Sequence, residues 1–179
     1  RRLRILQVMR APVGGLFRHV ADLTQALSER GHQIGLAVDS LAADSQTEDR
    51  LQALLPFATL GIHRFPMPRV LGAGALMRHI ASDIKRHDLP VIVTGDMNAA
   101  PDSEPITVFL SDENVPLVNQ TPSFPASWHD YGKRPDKPQI DYIFTRGFRA
   151  TAEPAAWDDR PFGKYLSDHE ALCAFLKAE

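Results

Sequence analysis

The sequence predicts an α/β protein with a layered, mixed β-sheet. Short apolar runs suited to buried strands alternate with longer amphipathic stretches suited to helices, a pattern typical of strands joined by helical crossovers. Several strands end in glycine, proline or an acidic or amide side chain, so the loops carry the polar groups. With 179 residues, 44% of them hydrophobic, the chain is long enough to form one sizeable core.

Residues 1–76 are predicted to form a parallel, Rossmann-like βαβαβ unit with right-handed crossovers. Pro12, Gly14 and Gly15 make the turn before the first helix, and Gly31 ends that helix. The elements in order are a strand at 3–9, a helix to about residue 30, a strand at 34–39, a helix at 47–55 and a strand at 62–65.

Residues 77–179 are predicted to add the rest of a mixed sheet. A proline- and glycine-rich loop at 66–74 is the natural junction between the two parts, which we expect to pack as one domain with one continuous sheet. Asp102 or Ser103 can cap the short helix of this second part. Its elements are a helix at 75–87, a strand at 91–95, a helix to about 110, a loop-like stretch to 138, and strands at 139–145, 147–152 and 170–176.

Charge also divides the chain near residue 76. Residues 1–76 hold nine Arg, no Lys and six acidic residues, a balance of +3, whereas residues 77–179 contain all five Lys and carry a balance of −5. Neither part has the dense Lys/Arg cluster of a protein that grips many phosphates, which argues mildly against a nucleic-acid substrate.

The bulk properties favour a cytoplasmic protein. No apolar run approaches the roughly 20 residues of a membrane span, and the N-terminus does not resemble a signal peptide. The single Cys173 lies in an apolar run and is predicted to be a small buried thiol, so disulfides are not part of the predicted fold.

Three short motifs carry polar groups suited to phosphate ester chemistry. The apolar strand in Val91–Asn98 ends in Gly-Asp-x-Asn, which aims Asp96 and Asn98 into one cleft; Asp141 follows in Gln-Ile-Asp-Tyr-Ile-Phe, and Asp168 and His169 follow in Ser-Asp-His. Hydrolysis of a phosphate ester needs an oriented water, stabilised phosphoryl oxygens and help for the leaving oxygen. Carboxylate, amide and imidazole groups supply these functions.

The three motifs, in this order, resemble the C-terminal half of the endonuclease/exonuclease/phosphatase family over about residues 77–179. The resemblance implies that Asp96 activates the attacking water and that Asn98 donates to a nonbridging phosphoryl oxygen. It also implies that Asp141 fixes the tautomer of His169, while His169 donates to the phosphate. Asp168 and Asp96 are the implied ligands of a metal, Mg²⁺ or Mn²⁺, because oxygen ligands select hard cations.

The family resemblance is incomplete in residues 1–76. The first half of the family normally adds an Asn at the end of its opening strand and a metal-binding Glu, and Gln7, Glu29 and Glu48 do not match those positions. Without the Glu, converging carboxylates are left with weakened means of holding a cation, and one of them can instead take a proton.

Residues 1–76 resemble the start of retaining glycosyltransferases of the GT-B class, family 4 type, through the strand, the Gly14-Gly15 loop and the following helix. The resemblance implies binding of a sugar phosphate or nucleotide at Gly14 and Gly15, since glycines allow close approach and a helix N-terminus favours anions. The chain has no room for the second nucleotide-binding domain of that class, so we favour a scaffold role for this unit.

The sequence therefore favours a divalent-metal-dependent phosphoesterase half-site, weak or inactive, on a hybrid chain. The alternatives are a recombined or engineered structural chimera without activity of its own, and a sugar-phosphate or nucleotide binder at the glycine loop. A small phosphate ester or a nucleic acid is the expected partner, with no obligate protein partner. His129, in the loop before the last strands, is a further candidate for substrate contact.

Overall fold

The computed structural model of the chain describes residues 2–9, 12, 14–40, 45–66, 69–87, 90–113, 115–122, 127–134, 136, 138–157 and 159–179. Within these ranges the chain forms an α/β structure whose strands and helices alternate up to β4. The elements are β1 Arg4–Met9, α1 Gly14–Glu29, β2 Gln33–Asp39, α2 Ser45–Gln52, β3 Ile62–Phe65, α3 Arg69–His87, β4 Val91–Asp96, α4 Glu104–Ser111, β5 Val118–Asn119, β6 Asp141–Arg146, β7 Phe148–Trp157 and β8 Ala171–Ala178.

A six-stranded mixed sheet with the order β3-β2-β1-β4-β6-β5 organises the molecule. The first four of these strands run parallel to one another, and β6 runs antiparallel to β4 and β5. The continuous sheet crosses the predicted junction between the two parts, because β1 pairs with β4 from Arg4↔Val91 to Gln7↔Thr94. Strands β7 and β8 form a separate antiparallel sheet of two strands.

Helices cover the main sheet on both faces. Side chains of α1 and α2 pack in one apolar cluster with Ile5 and Met9 of β1. Side chains of α3 and α4 pack in a second cluster with Val8 of β1 and Val93 of β4. Since alternate residues of a strand point to opposite faces, the two clusters lie on opposite sides of the sheet. The helix that follows β1 and the helix that precedes β4 therefore lie on opposite faces of the sheet, although these two strands are neighbours.

Two glycine-rich stretches are helical where the sequence predicted loops. Helix α3 begins at Arg69, so Gly72 and Gly74 lie within it, although the predicted helix began at residue 75. Glycine costs about 1 kcal/mol in a helix relative to alanine, and buried α3 residues such as Leu76 and Met77 offset that cost. The rest of the predicted loop, at 67 and 68, lies outside the described residues.

The predicted turn before the first helix is shorter for the same reason. Gly14 and Gly15 are the first residues of α1 and do not form a loop. Burial of Val20 and Thr24 against the sheet stabilises α1, so packing sets where this helix begins.

The C-terminal hairpin differs from prediction in length and in burial. Strand β7 extends to Trp157, and the register of the hairpin shifts twice along its length. Within the described residues β7 and β8 pair only with each other, so much of the hairpin is exposed. Cys173 is a free, half-buried thiol, whereas a buried thiol was expected.

Helix α4 begins where predicted, after Ser103, but without a side-chain cap. The Ser103 hydroxyl instead donates to the Ala100 carbonyl at 2.6 Å. None of the helices in the described ranges is long and apolar enough to cross a membrane.

Candidate active site

Two carboxylates face each other at the carboxyl end of β4. Asp96 is the last residue of β4 and pairs directly with Asp141, the first residue of β6. Directly opposite residues of an antiparallel pair carry Cβ atoms about 4.5–5.5 Å apart. The preceding Gly95 is required by packing, because a Cβ there would lie 2.8 Å from the carbonyl oxygen of Val8. The Gly-Asp motif therefore brings β1 close while it presents a carboxylate.

Asn98 orients the carboxylate of Asp96. The Asn98 backbone N–H donates to Asp96 Oδ1 at 2.8 Å, and its side-chain Nδ2 donates to Oδ2 at 2.9 Å. This turn places Asn98 at a φ of 48°, a left-handed conformation that asparagine tolerates better than most residues. The spacing Asp-x-Asn thus fixes both oxygens of one acid.

His169 is held against the second carboxylate. Its Nδ1 lies 2.8 Å from Asp141 Oδ2, so the hydrogen bond keeps the proton on Nδ1 and leaves Nε2 facing the cleft. The hydrogen bond that His169 donates to Asp141 is the largest cause of its raised pKa; burial opposes it, and the negative charges of Asp141, Asp96 and Asp168 add smaller raising effects.

Backbone pairing holds the His169 segment in place. Trp128 and His169 form an isolated antiparallel bridge. On either side of it, the N–H of His129 donates to the Asp168 carbonyl at 2.9 Å, and the N–H of Glu170 donates to the Ser127 carbonyl at 2.7 Å. The segment 127–130 thereby clamps the Ser-Asp-His motif beside the end of β6.

Ser127 is a site residue that the sequence reasoning missed. Its side chain is fully buried, and its Oγ accepts the backbone N–H groups of Ile140 at 2.9 Å and Asp141 at 3.0 Å. It therefore fixes the backbone that carries Asp141. A serine within a loop rich in proline and serine gives no local signal of this role.

The charge of the site favours a cation. Burial raises the pKa of Asp96, and the nearby charge of Asp141 raises it further, against the lowering effect of the Asn98 hydrogen bonds. Ligand-type atoms of Asp96, Asp141 and His169 all lie within 4.8 Å of one another. Two carboxylates and an imidazole form a donor set that a divalent cation can use.

Asp168, which the sequence predicted as a metal ligand together with Asp96, lies at the edge of this group. Its Oδ2 is 4.0 Å from His169 Nε2, and its side chain is 41% exposed. The structure thus brings Asp96, Asn98, Asp141 and His169 together and leaves Asp168 beside them, with its metal role still a prediction.

The cleft beside these groups is a cavity of about 250 Å³. Asp96, Asn98 and His169 line it on the polar side, and Trp128, Pro138 and Ile140 line it on the other. The reacting side chains therefore face open space that a phosphoryl group can enter.

Other candidates lie apart from the reacting groups. His129 is buried, its Nδ1 accepts the Gly132 N–H, and its ring packs on Tyr165 at 4.4 Å, so it supports the loop, and its contact with substrate stays a prediction. A Cβ added at Gly15, in the first turn of α1, would meet no atom within 4 Å, and ligand binding at Gly14 and Gly15 stays a prediction.

The three residues weighed as replacements for the missing Asn and Glu have other partners. Gln7 is buried and donates to Thr24 Oγ1 at 2.8 Å. Glu29 accepts from Gln25 at 2.8 Å, and Glu48 forms an ion pair with Arg64. Among the described residues, neither glutamate belongs to the group of possible metal ligands that includes Asp96.

The chain belongs to the Endonuclease/Exonuclease/phosphatase family, which matches residues 32–169. The match covers the motifs around Asp96, Asp141 and His169, and it also crosses residue 76. No curated protein matches the chain significantly.

Solved structures agree with this fold. A functionally unknown conserved protein from Enterococcus faecalis V583 is 20% identical, with a TM-score of 0.53 over 62% of this chain and 44% of that chain. An endonuclease/exonuclease/phosphatase family protein from Bacteroides thetaiotaomicron is 20% identical, with a TM-score of 0.51 over 60% of this chain and 43% of that one. The catalytic domain of human Nocturnin with bound sulfate is 22% identical, with a TM-score of 0.50 over 62% and 41%. The chain thus spans less than half the length of these relatives.

The comparisons correct one part of the sequence interpretation. They give no support to a glycosyltransferase relationship for residues 1–76 or to a chimera, since the family match already includes residues 32–76. The parallel βαβαβ order of β1 to β3 is present, but this arrangement recurs in proteins of unrelated function. A resemblance based on it therefore does not identify a glycosyltransferase.

Proposed function

We propose that the chain is a divalent-metal-dependent phosphoric ester hydrolase that acts on phosphate monoesters or diesters. The convergence of Asp96, Asp141 and His169 within 4.8 Å is the observation that carries the proposal. This is the combination of acid, base and cation-binding groups that attack of water on phosphorus requires. Membership of the family gives the same expectation.

The proposed roles follow from which atoms are already bonded. Water attacks phosphorus, the bond from phosphorus to the ester oxygen breaks with its electron pair on that oxygen, and the leaving oxygen takes a proton from solvent to become the alcohol. Asp96 accepts the proton of the water, and its raised pKa makes its carboxylate a better base than an ordinary aspartate. The raised pKa of His169 favours its doubly protonated form, which donates from Nε2 to the phosphoryl group while Nδ1 donates to Asp141.

Asn98 has a second donor for the substrate. One hydrogen of its Nδ2 is used by Asp96 Oδ2, and the amide nitrogen carries another. We assign that hydrogen to a nonbridging phosphoryl oxygen, where negative charge grows during the reaction.

Asp96 would hold a Mg²⁺ or Mn²⁺ ion together with Asp168. A bound divalent cation neutralises charge on the phosphoryl oxygens and lowers the pKa of bound water. The carboxylates fit this ion by their chemistry, because oxygen ligands select hard cations. Turnover is expected to be weak, since Glu29 of α1 and Glu48 of α2 bind Gln25 and Arg64 and do not supply the missing metal ligand.

Hydrolysis of 4-nitrophenyl phosphate and of bis(4-nitrophenyl) phosphate with Mn²⁺ or Mg²⁺ tests the proposal. The parent chain is compared with His169→Ala, with His32→Ala as a control outside the site, and with a chelator, and folding is followed by circular dichroism. We expect turnover that disappears in His169→Ala and with chelator and persists in His32→Ala. A folded chain without turnover of either ester would leave the motifs as inherited features of an inactive scaffold.

A further inference from the structure

A second cavity adjoins the carboxylate pair. It measures about 300 Å³ and lies between α1 and β8, above the ends of β1, β4 and β6. We call it the α1–β8 groove; its lining residues from α1 and β8 are Leu16, His19, Val20, Leu23 and Leu172. Asp96 and Asp141 both line it as well, so the groove opens directly onto the proposed reacting groups.

The α1 wall of the groove is mostly apolar and open to water, and His19 is its one polar side chain. Leu16, Val20 and Leu23 are spaced by four and three residues, which puts them on one face of the helix. Val20 is buried, but Leu16 is 39% exposed and Leu23 is 36% exposed. Leucines left partly exposed beside a pair of carboxylates that would bind a cation suit a ligand with an apolar end and a phosphoryl end that the cation would hold.

Apart from His19 on α1, the polar groups that line the groove belong to β1, to the ends of β4 and β6, and to Glu170 next to His169. Gln7, on the floor, already donates to Thr24 Oγ1 at 2.8 Å, and both side chains are buried. Thr94 and the two aspartates lie nearer the end of β4. A sugar or other polyhydroxylated group would find few partners along the helix, because buried hydroxyls without hydrogen bonds are costly.

The position of the groove in the fold is one where ligands bind. In open α/β sheets, ligands occupy the crevice at the carboxyl ends of the strands where consecutive connections leave toward opposite faces. That point lies between β1, followed by α1 on one face, and β4, preceded by α3 on the other. The groove begins there, at Val8 and Asp96.

We propose that the α1–β8 groove binds the alcohol part of the substrate and selects phosphate esters of apolar alcohols, aryl or short alkyl, over esters of sugars and glycerol. The proposal rests on the phosphoesterase function and names its substrate class. A volume near 300 Å³ is at the small end of the range for ligand sites, which suits one compact apolar group. The phosphoryl group then lies at the carboxylate end, within reach of His169.

The test compares 2-naphthyl phosphate with glycerol 3-phosphate in the presence of Mn²⁺. The variants are Leu16→Gln and Leu23→Gln, and the matched control is Leu110→Gln, a leucine of α4 that is 38% exposed on the other face. Aryl phosphates are intrinsically more reactive, so the informative quantity is how the ratio of kcat/KM for the two esters changes between variants.

We expect each groove variant to lower this ratio roughly 5-fold, which corresponds to about 1 kcal/mol of lost transition-state binding. The control should leave the ratio unchanged, and thermal unfolding should show that all three variants remain folded. A ratio that stays the same in Leu16→Gln and Leu23→Gln, or falls equally in Leu110→Gln, would overturn the proposal.

A binding measurement separates this proposal from the phosphoesterase function. Isothermal titration with 2-naphthylmethylphosphonate, which has no ester bond to hydrolyse, is applied to the same chains with Mn²⁺. Binding that weakens only in the two groove variants supports the groove even if the parent chain turns over neither ester. Absence of binding, or binding that is insensitive to both leucines, counts against it whatever the activity.

Discussion

Asp96 and Asp141 stand directly opposite each other across the antiparallel pair of β4 and β6. Each carboxylate has its own support, since Asn98 binds Asp96 and His169 binds Asp141. Two like charges at about 4 Å repel by about 1 kcal/mol even in water, and by more where water is excluded. The fold therefore maintains a charge arrangement that costs stability and that a bound cation would neutralise.

Asp96→Asn is expected to raise the free energy of unfolding at pH 7 by about 1 kcal/mol in the presence of chelator, because the substitution removes this repulsion. Urea unfolding measures the difference. Asp102→Asn, which removes an exposed negative charge before α4, serves as the control and should change little. A less stable Asp96→Asn protein would show that the carboxylate is held favourably without a metal.

The pH dependence of that difference has a definite sign. The pKa of Asp96 is raised from its ordinary value of 3.8, so the folded state favours the protonated acid. Its contribution to stability is fully present below pH 3.8 and is lost as the pH rises through the folded-state pKa. The advantage of Asp96→Asn should therefore shrink as the pH is lowered toward 4 and be largest at neutral pH.

Asp141→Asn is expected to lower the pKa of His169. The hydrogen bond that His169 donates to Asp141 is the largest cause of the raised pKa, and the substitution also removes the charge of Asp141. Titration of the imidazole C–H signals by NMR measures the change. Asp168→Asn is the matched control, because the charge of Asp168 is the smallest of the contributions, so its effect should be smaller.

The same hydrogen bond contributes to stability in acid. A histidine pKa raised above 6.5 stabilises the fold fully below pH 6.5, and this contribution is lost as the pH rises through the folded-state pKa. Unfolding measured at pH 5.5 and pH 8.5 should therefore show a smaller difference in Asp141→Asn than in the parent chain. An unchanged difference would mean that the His169 contact to Asp141 is not formed in solution.

Ser127→Ala is expected to destabilise the protein by about 1–3 kcal/mol, because two backbone N–H groups at the start of β6 lose their acceptor. Ser111→Ala is the control: its exposed hydroxyl only donates to the Thr107 carbonyl, so a change within about 0.5 kcal/mol is expected. Chemical unfolding of both variants gives the comparison, and equal effects would argue against the buried role of Ser127.

The reacting residues could be predicted because three short motifs, in order, resemble those of the family, and Asp96 and Asp141 lie at the ends of strands whose apolar pattern is local. The strand before Asp96 ends with glycine, and the strand that begins at Asp141 has its own alternating pattern. Antiparallel pairing then makes the two acids neighbours. The sequence motif of Asp168 and His169 was recognisable, but the distance between His169 Nε2 and Asp168 depends on the surrounding loop.

The rest depended on contacts between distant residues. Ser127 accepts hydrogen bonds from residues 13 and 14 positions away along the chain, and the residues next to it in sequence do not indicate those bonds. Gly72 and Gly74 favoured a loop locally, yet packing of α3 overrides that preference. Tertiary burial outweighs local propensity in such cases.

Tyr142→Phe is expected to cost about 1 kcal/mol at pH 7 and to flatten the loss of stability in alkali. Tyr142 is 1% exposed, and its hydroxyl donates to the Ala99 carbonyl at 2.8 Å, a bond that phenylalanine cannot make.

Burial raises the pKa of Tyr142, and the charge of Asp141 adds to the effect. The fold thus favours the neutral phenol, whose contribution is complete below pH 10 and is lost as the pH rises toward the folded-state pKa. Unfolding between pH 8 and 11 should show a steeper decline for the parent chain than for Tyr142→Phe, whereas Tyr131→Phe, at a tyrosine that is 53% exposed, should follow the parent. Parallel declines in all three proteins would place the ionising tyrosine elsewhere.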